Sequence, residues 1–540
     1  MSQISSIAIP PGQLPETSSV HNKLNKSPGM IGMVLFGLVL LGGVGYAVIH
    51  LANDLSGTHL ASAWPYVLLG VALLIALGFE FVNGFHDTAN AVATVIYTHS
   101  LEPHIAVVWS GMWNLIGVLT SSGAVAFTIL SLLPVELILQ VGKGAGFAMV
   151  FSLLIAAIIW NLSTWWLGLP ASSSHTLIGS IIGVGLANQW MGGKNGTSGV
   201  DWGQAAGVFR ALLISPLVGF CCAALLLLLL KMLVKKPELY ESPKGDTPPP
   251  FWIRGLLVLT CTGVSFGHGS NDGQKGMGLI MLILIGVVPT AYALNHAIGY
   301  NQVQDFAAVS EQAAHVLSGY VSKDALMGDA RTDLTDYIRS KKFTPNTMLA
   351  ARQLAVEIQN EVTSYKTLAG VPGDQQQNVR NDMYVESEAL RIMAKSGDPK
   401  FTSPENAALA NYKKHLDLST KFIPSWVKVA VALALGLGTM VGWKRIVVTV
   451  GEKIGKEHLT YAQGASAEIV AAVTIIAADQ FHMPVSTTHV LSSGVAGTML
   501  ANGSGLQLST LRNIALAWIF TLPVAAALAA GIFWSMRQFM

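Results

Sequence analysis

The chain has 540 residues, of which 51% are hydrophobic and 11% are charged, with a net charge of +2 and a mean hydropathy of +0.51. Soluble domains carry about 25% charged residues, so this composition predicts many spans of a lipid bilayer rather than one large soluble core. The small net charge, without a continuous basic run, gives no indication of nucleic-acid binding. The three cysteines lie in apolar stretches and predict neither a disulfide framework nor a zinc site, and nothing in the sequence predicts a bound cofactor.

The N-terminal region has two parts. Residues 1–29 are polar, and they are followed by an apolar run over 30–51. This run is too long for the apolar core of a signal peptide and has no convincing cleavage site after it. We therefore interpret 1–29 as a polar tail and 30–51 as an extra, uncleaved transmembrane helix.

Uncharged or nearly uncharged runs of bilayer length recur along the rest of the chain. We predict about twelve transmembrane segments, some of them short enough to be re-entrant. The shorter apolar piece 88–98 cannot span a bilayer alone and is interpreted as the second half of a broken helix. The predicted segments are 30–51, 63–83, 104–133, 145–168, 171–190, 206–230, 251–267, 276–295, 424–443, 463–481, 484–501 and 510–535.

Two polar motifs that contain glycine interrupt these apolar runs. Residues 83–91 read Asn-Gly-Phe-His-Asp-Thr-Ala-Asn-Ala, and residues 268–276 read His-Gly-Ser-Asn-Asp-Gly-Gln-Lys-Gly. Charged side chains within hydrocarbon-length segments are costly and usually functional. The motifs predict broken helices at 84–90 and 268–275.

A second pair of motifs follows the first pair in the same order. Residues 170–175 read Pro-Ala-Ser-Ser-Ser-His, and residues 484–489 read Pro-Val-Ser-Thr-Thr-His. The regions 63–233 and 251–537 are therefore interpreted as two copies of one unit. Duplicated polar breaks in corresponding halves are typical of the substrate site of a transporter.

Residues 297–423 interrupt the second copy and separate 251–296 from 424–537. This stretch carries a large share of the charged residues and has no apolar run of spanning length. Parts of it, such as 302–316 and 346–362, have helical spacing of apolar residues. We predict a soluble, mainly helical insertion, without any motif that indicates catalysis.

The basic residues of short loops predict the orientation in the membrane, since such loops remain in the cytoplasm. One group follows residue 230 and another follows residue 443; they comprise Lys231, Lys235, Lys236, Lys244, Arg254, Lys444, Arg445, Lys453 and Lys456. This places the N-terminus in the cytoplasm and 297–423 in the periplasm. The two copies then have opposite orientations, so the predicted fold is an all-α bundle of two inverted repeats with broken or re-entrant helices. This architecture is common among alternating-access carriers.

The second motif pair has the chemistry of an anion site. Pro170 and Pro484 each precede a hydroxyl-rich helix start, where proline fits the first turn and hydroxyls cap free N–H groups. Such a start offers N–H groups, hydroxyls and the positive end of the helix dipole to an anion. Simple helix capping is the alternative. The candidate anion-binding residues are Ser172, Ser173, Ser486 and Thr487.

Asp87 and Asp272, in the first motif pair, would repel an anion. A carboxylate at the bilayer centre costs at least ~2.5–3.5 kcal/mol, so each acid needs a partner. A proton or a transported cation, bound at Asp87 and Asp272 together with the anion, would be such a partner and would couple the two species. No fixed metal site is predicted. The alternative is that each Asp caps a broken helix.

Together these motifs resemble the PiT (inorganic phosphate transporter) family. The resemblance covers 63–296 and 424–537, and 171–176 and 273–276 are most similar to the bacterial low-affinity, proton-coupled branch. It implies a multi-pass protein of the inner membrane that takes up inorganic phosphate, as a neutral complex with a divalent metal, by proton symport. It also implies that Asp87, Asp272 and the four hydroxyl residues form the phosphate site.

The motifs depart from those of the sodium-coupled members, which have amides at two of these positions. His86 and Lys275 replace the amides. A protonated lysine cannot ligate a cation, and a histidine titrates near neutral pH. These replacements favour protons over sodium, although Lys275 could instead serve only to pair with Asp272.

Other polar residues are candidates for coupling or for lining the site. Glu468 lies within 463–481 and matches an acid of the family. The remaining candidates are Asn90, Asn271, Gln274, His175 and His489.

Alternative functions are a sodium-coupled phosphate symporter, a carrier of another oxyanion or of a free divalent metal, and an intramembrane hydrolase that uses serine, histidine and aspartate. Against a hydrolase, adjacent residues of one helix do not face each other. The sequence leaves open whether the chain forms a homo-oligomer.

Overall fold

The computed structural model describes residues 22–56, 64–139, 144–192, 199–243, 245, 247–326 and 328–539. These residues are largely α-helical, and an isolated β-bridge joins Gly455 to Leu506. The all-α prediction is therefore confirmed. Most of the predicted polar tail, residues 1–21, lies outside the described residues, as does Lys244 of the first basic loop.

Between residues 30 and 233, the described residues form nine helices. They are α1 Met30–Leu55, α2 Trp64–Asp87, α3 Ala89–Tyr97, α4 Pro103–Thr120, α5 Ala124–Leu130, α6 Val135–Leu139, α7 Gly144–Trp166, α8 Ser173–Met191 and α9 Trp202–Leu233. A 3₁₀ turn at Pro237–Leu239 leads to the second half.

The second half begins with α10 and includes the insertion. Its helices are α10 Phe251–Val287, α11 Pro289–Tyr292, α12 Tyr300–Ser318, α13 Ala330–Ser340, α14 Pro345–Tyr365, α15 Gly373–Ser396, α16 Ser403–Thr420, α17 Ser425–Thr439, α18 Lys444–Val448, α19 Tyr461–Gln480, α20 Thr487–Asn502 and α21 Leu508–Phe539. A 3₁₀ turn lies at Leu368–Gly370, and a π-helical turn at Thr449–Lys453 continues α18.

Several helices are long and apolar enough to cross a membrane. Among the described residues there are six such spans, with α2 and α3 forming one of them, and eight if two sharply bent pairs each form a span. The bends are 77° between α4 and α5 and 73° between α16 and α17. A multi-pass membrane protein is therefore confirmed, but the larger predicted number of segments is not.

The first predicted helix break is present. Helix α2 ends at Asp87 and α3 begins at Ala89, with Thr88 between them. The side-chain amide of Asn90 donates a hydrogen bond of 2.9 Å to the carbonyl oxygen of Asp87. The Asn90 side chain thus supplies a hydrogen-bond partner for a backbone carbonyl group at the break. Such a partner is needed inside a membrane, where water is absent.

The second predicted break, at 268–275, is wrong, because α10 runs for 37 residues straight through this motif. Its glycines serve close packing instead. A Cβ atom at Gly269 would lie 2.1 Å from the carbonyl oxygen of Asn114 on α4. A Cβ atom at Gly117 of α4 would lie 2.2 Å from the carbonyl oxygen of Phe266. Only glycine at both positions lets the two helix backbones approach this closely.

The helix contacts of the two halves correspond. Helix α2 packs on α7 and α17, and α10 packs on the counterparts α19 and α4. The last long helix of each half crosses to the other half, since α9 lies along α20 and α21 lies along α8. The four helices α8, α9, α20 and α21 therefore hold the two halves together.

The insertion is helical, as predicted, and has its own apolar core. Phe306, Leu354 and Tyr412 are among the side chains buried there. Its contacts with the membrane helices are apolar and ionic: Tyr384 packs into the apolar core of the membrane helices. Asp201, the N-cap of α9, pairs with Lys341 and, at 3.4 Å, with Arg391. Its location outside the cytoplasm stays a prediction.

Candidate functional site

The carboxylate of Asp87 contacts the starts of two helices from opposite halves of the chain. Its Oδ2 accepts a 3.3 Å hydrogen bond from the backbone N–H of Ser173, the first residue of α8. Its Oδ1 accepts a 3.0 Å hydrogen bond from the hydroxyl of Thr488, in the first turn of α20. Asp87 itself is buried at the break between α2 and α3. The break and the two helix starts therefore meet at one point inside the bundle.

The four predicted hydroxyl residues differ in what their hydroxyl groups bind. Ser172 and Ser486 are the N-caps of α8 and α20, and each side chain accepts the N–H of the histidine three residues later, at 3.3 and 3.1 Å. The hydroxyl of Ser173 accepts a 3.1 Å hydrogen bond from the amide of Asn161. Within the described part of the chain, the buried hydroxyl of Thr487 has no hydrogen-bond partner. Capping is thus observed for two of the four, and Thr487 has its hydroxyl available to a ligand.

His86 and Asn90 support Asp87 from its own motif. The imidazole Nδ1 of His86 lies 2.9 Å from Asp87 Oδ1, and its Nε2 lies 3.0 Å from the hydroxyl of Thr164 on α7. Asn90 donates to the hydroxyl of Thr488 at 3.1 Å. His86 therefore contacts Asp87, and Asn90 contacts Thr488; their role in coupling stays a prediction. Thr488 was absent from the sequence prediction, although it belongs to the same hydroxyl-rich motif.

Asp272 is held differently from its counterpart. The ammonium of Lys275, one turn along α10, lies 2.6 Å from Asp272 Oδ1, and both side chains are fully buried. Lys275 also donates to the hydroxyl of Ser174, which in turn donates to the carbonyl of Val485 at 3.0 Å. Lys275 pairs with Asp272, as in the alternative interpretation of the sequence, and it also contacts Ser174 in the first turn of α8.

Three buried groups are close enough to share a cation. Ligand atoms of Asp87, His268 and Asp272 all lie within 4.8 Å of one another. His268 Nε2 is 3.7 Å from Asp272 Oδ2, and its Nδ1 is 2.8 Å from Asn114 Oδ1. Carboxylate and imidazole groups are ordinary ligands of divalent transition metals. Sequence analysis missed His268 as a candidate, although its i, i+4 spacing from Asp272 places both on one helix face.

Asn271 and Gln274 connect α10 to neighbouring segments by hydrogen bonds. The amide of Asn271 donates to the carbonyl of Met483 at 3.1 Å. Gln274 donates to Asp479 at 2.6 Å and accepts the backbone N–H of Val125 at 2.9 Å. These two predicted residues thus join α10 to α19 and α5.

His175 and His489 form an aromatic stack near the helix starts. Their ring centroids are 4.3 Å apart, and His489 stacks on Trp518 at 4.0 Å. The indole N–H of Trp518 donates to the carbonyl of Pro170 at 2.8 Å. The stack thus links the segment before α8 to α20 and α21, and it fixes the relative position of the two helix starts.

Glu468 lies in a separate buried position on α19. Its carboxylate accepts hydrogen bonds from the hydroxyls of Thr94 on α3 and Thr260 on α10. A further buried acid, Glu80 on α2, was missed by sequence analysis. Glu80 could have been found in the same way as Glu468, because it is an acid within a predicted span, 63–83.

The comparison with protein families finds a match between residues 83–529 and the phosphate transporter family. The low-affinity inorganic phosphate transporter PitA of Escherichia coli (strain K12) is 43% identical over 491 residues, which are 88% of this chain and 97% of the relative. PitB of the same organism is 41% identical over 489 residues, covering 87% and 97%. A probable low-affinity inorganic phosphate transporter of Bacillus subtilis (strain 168) is 27% identical over 468 residues, covering 86% and 96%.

Among solved structures, a sodium-dependent phosphate transporter aligns over 88% of this chain and 100% of its own, with 18% identity and a TM-score of 0.48. The family match includes both polar motifs and both helix starts, which are the residues that carried the resemblance. The two Escherichia coli relatives align over nearly their full lengths. This chain therefore belongs to the phosphate transporter family.

Proposed function

We propose that this phosphate transporter takes up inorganic phosphate by proton symport with alternating access, and that phosphate enters as a neutral complex with a divalent metal. The observation that carries the proposal is the carboxylate of Asp87 between the starts of α8 and α20. The Asp87 carboxylate, which is itself negatively charged, already accepts hydrogen bonds from donors that an anionic substrate would need. The family consists of transporters and not enzymes, so a hydrolase is no longer an alternative.

Phosphate oxygens would replace the Asp87 carboxylate at the two helix starts. Each start offers backbone N–H groups at the positive end of a helix dipole, which favours anions. The free hydroxyl of Thr487 and the hydroxyl of Ser173 are on these same starts. The proposed phosphate residues are Asp87, Ser172, Ser173, Asp272, Ser486 and Thr487.

A divalent cation would remove the repulsion between phosphate and the two acids. Asp87, His268 and Asp272 provide two carboxylates and an imidazole within one small volume. A metal that enters with phosphate and bridges its oxygens to these side chains would be part of the substrate. The total charge of the buried site would then change little on binding, which matters because unpaired buried charges are costly.

Coupling to protons rather than sodium rests on the charge pattern around the acids. The ammonium of Lys275 occupies the neighbourhood of Asp272, where a sodium ion would need an oxygen ligand. The imidazole of His86, a group that can accept or donate a proton, contacts Asp87 directly. Both contacts favour exchange of protons at this site.

The corresponding helix contacts of the two halves support inverted repeats and alternating access. In this proposal α8, α9, α20 and α21, which cross between the halves, keep their relative positions during transport. In the proposed orientation the N-terminus and both basic loops are cytoplasmic. Residues 297–423 are then on the periplasmic face of the inner membrane.

Uptake of radiolabelled phosphate into proteoliposomes tests the coupling and the substrate. The expected uptake is equal in sodium-containing and sodium-free buffer, requires a divalent metal and collapses when a protonophore dissipates the pH gradient. Uptake that depends on sodium and ignores the protonophore would show that the roles assigned to His86 and Lys275 are wrong.

Two substitutions test the phosphate site in the same assay. Ser173→Ala and Thr487→Ala should each weaken phosphate binding by about 1.5–3 kcal/mol, the value of a hydrogen bond to a charged group. Ser163→Ala is the matched control, because its hydroxyl is exposed on α7 and bonds only to the carbonyl of Ile159. Normal phosphate affinity in both site variants would exclude this position for the phosphate.

A further inference from the structure

We infer that Glu80 is the carboxyl group that carries the coupled proton. This inference rests on the proposed function, because it assigns a residue to proton symport. Glu80 lies on α2, two turns before Asp87, and it takes no part in the phosphate or cation groups described above. Its side chain is fully buried inside the bundle.

The partners of Glu80 differ from those of the other acids buried among the membrane helices, because Glu80 has neither a charged partner nor two hydroxyl donors. Oε2 accepts one hydrogen bond of 3.3 Å from the amide of Asn83, and Oε1 has no hydrogen-bond partner among the described residues. By contrast, Asp87 contacts His86, Asp272 pairs with Lys275, and Glu468 accepts two hydroxyl hydrogen bonds. Glu80 is thus a buried carboxyl with an unused oxygen.

Among the residues that the structure describes, no charged or titratable group on the helices packed against α2 forms an ion pair with Glu80. Helix α10 presents Asp272 and Lys275, which are engaged with each other. It also presents His268, which contacts Asn114 and Asp272. Helix α8 carries His175, which stacks on His489. Helix α17 carries Lys428, whose ammonium donates to the carbonyl of Ser121 at 2.8 Å. Helix α7 has no acidic, basic or histidine residue. An ionised Glu80 would therefore be an unpaired buried charge, so this conformation favours its neutral, protonated form.

The position of Glu80 connects its protonation to the transport site. Residues 80, 83 and 87 follow one face of α2, and Glu80 is about 10 Å along the helix from Asp87. A Cβ atom at Gly276 would lie 2.4 Å from Cγ of Glu80. The carboxyl therefore packs tightly against the turn of α10 that carries Lys275, and any movement of α10 against α2 changes its surroundings.

The proton balance of the cycle is simple. In the conformation open to the periplasm, the Glu80 carboxylate takes a proton from hydronium and leaves water. The neutral carboxyl is buried while α2 and α10 are packed together. In the conformation open to the cytoplasm, Glu80 gives the proton to water, which becomes hydronium, and the carboxylate that forms is solvated there. The empty carrier then reopens to the periplasm with Glu80 as the carboxylate, so that each cycle moves one proton inward.

The test uses the full-length protein in proteoliposomes, with Glu80→Gln as the variant and Glu102→Gln, an exposed acid at the start of α4, as the control. Three quantities are measured: phosphate exchange without a gradient, phosphate accumulation driven by a pH gradient, and proton influx reported by a trapped pH dye. Glu80→Gln should retain exchange but lose accumulation and proton influx. Glu102→Gln should retain all three.

Accumulation by Glu80→Gln at the wild-type level would overturn the inference, and so would an equal loss of exchange and accumulation, which indicates a structural role. If Glu80→Gln fails to fold, Glu80→Asp decides: a shifted pH profile of uptake supports the inference and an unchanged profile overturns it. Absence of proton influx in the wild-type protein would instead refute proton symport itself, whatever the variants do.

Discussion

Replacing Gly269 by alanine tests the close contact between α4 and α10. The added Cβ would lie 2.1 Å from the carbonyl oxygen of Asn114. An ordinary carbon–oxygen contact is about 3.3–3.6 Å, so the helices must separate locally by about 1 Å or more. Overpacking of this kind costs about 1–3 kcal/mol in a packed core. The separation would also disturb the contact between Asn114 and His268, one turn from Asp272.

Gly255→Ala is the matched control, because Gly255 is on the same helix and, outside its own stretch of helix, no atom of the described residues lies within 4 Å of the added Cβ. Both variants gain helix propensity, about 1 kcal/mol each, so their difference isolates the steric cost. Thermal unfolding of the detergent-purified proteins and phosphate uptake provide the measurements. Gly269→Ala should melt below Gly255→Ala and transport more slowly. Equal melting temperatures with full uptake would refute the close-packing explanation for the motif glycines.

Three further predictions concern the insertion. Asp201→Asn should weaken the pairs with Lys341 and Arg391 and destabilise the docked insertion by about 1 kcal/mol, seen as faster hydrogen exchange there. Burial, together with repulsion from neighbouring acids, raises the pKa of Glu361 to about 7. When the pKa of an acid is raised in the folded state, the protein loses stability as the pH rises. The loss begins near the pKa of the unfolded state, ~4.3, and continues through the pKa of the folded state. Glu361→Gln should therefore raise the melting temperature at pH 8 relative to wild type, but not at pH 4; an equal shift at both values would contradict the titration. An exposed cysteine introduced as Asn360→Cys should react with an impermeant reagent from the periplasmic side; reaction only after the inner membrane is permeabilised would reverse the proposed orientation.

The local features of the molecule could be predicted from sequence. Proline and hydroxyl residues at 170–174 and 484–488 specify helix starts because capping depends on neighbours within one turn. The interruption at Thr88 and the helical insertion likewise follow from residue types within short windows. The repeated order of the motifs also placed Asp87 and the two helix starts among the candidate site residues before any contact was known.

Tertiary structure decided which of these residues meet. The glycines of 268–276 predicted a break, yet α10 is continuous because a neighbouring backbone, that of α4, fills the space beside them. The contact of Asp87 with Thr488 joins residues 401 positions apart, and no local period encodes such a pair. For the same reason, the cation group with His268 and the isolation of Glu80 could not be predicted. Both depend on which donors and charges other helices bring within a few ångströms, and only their packing determines this.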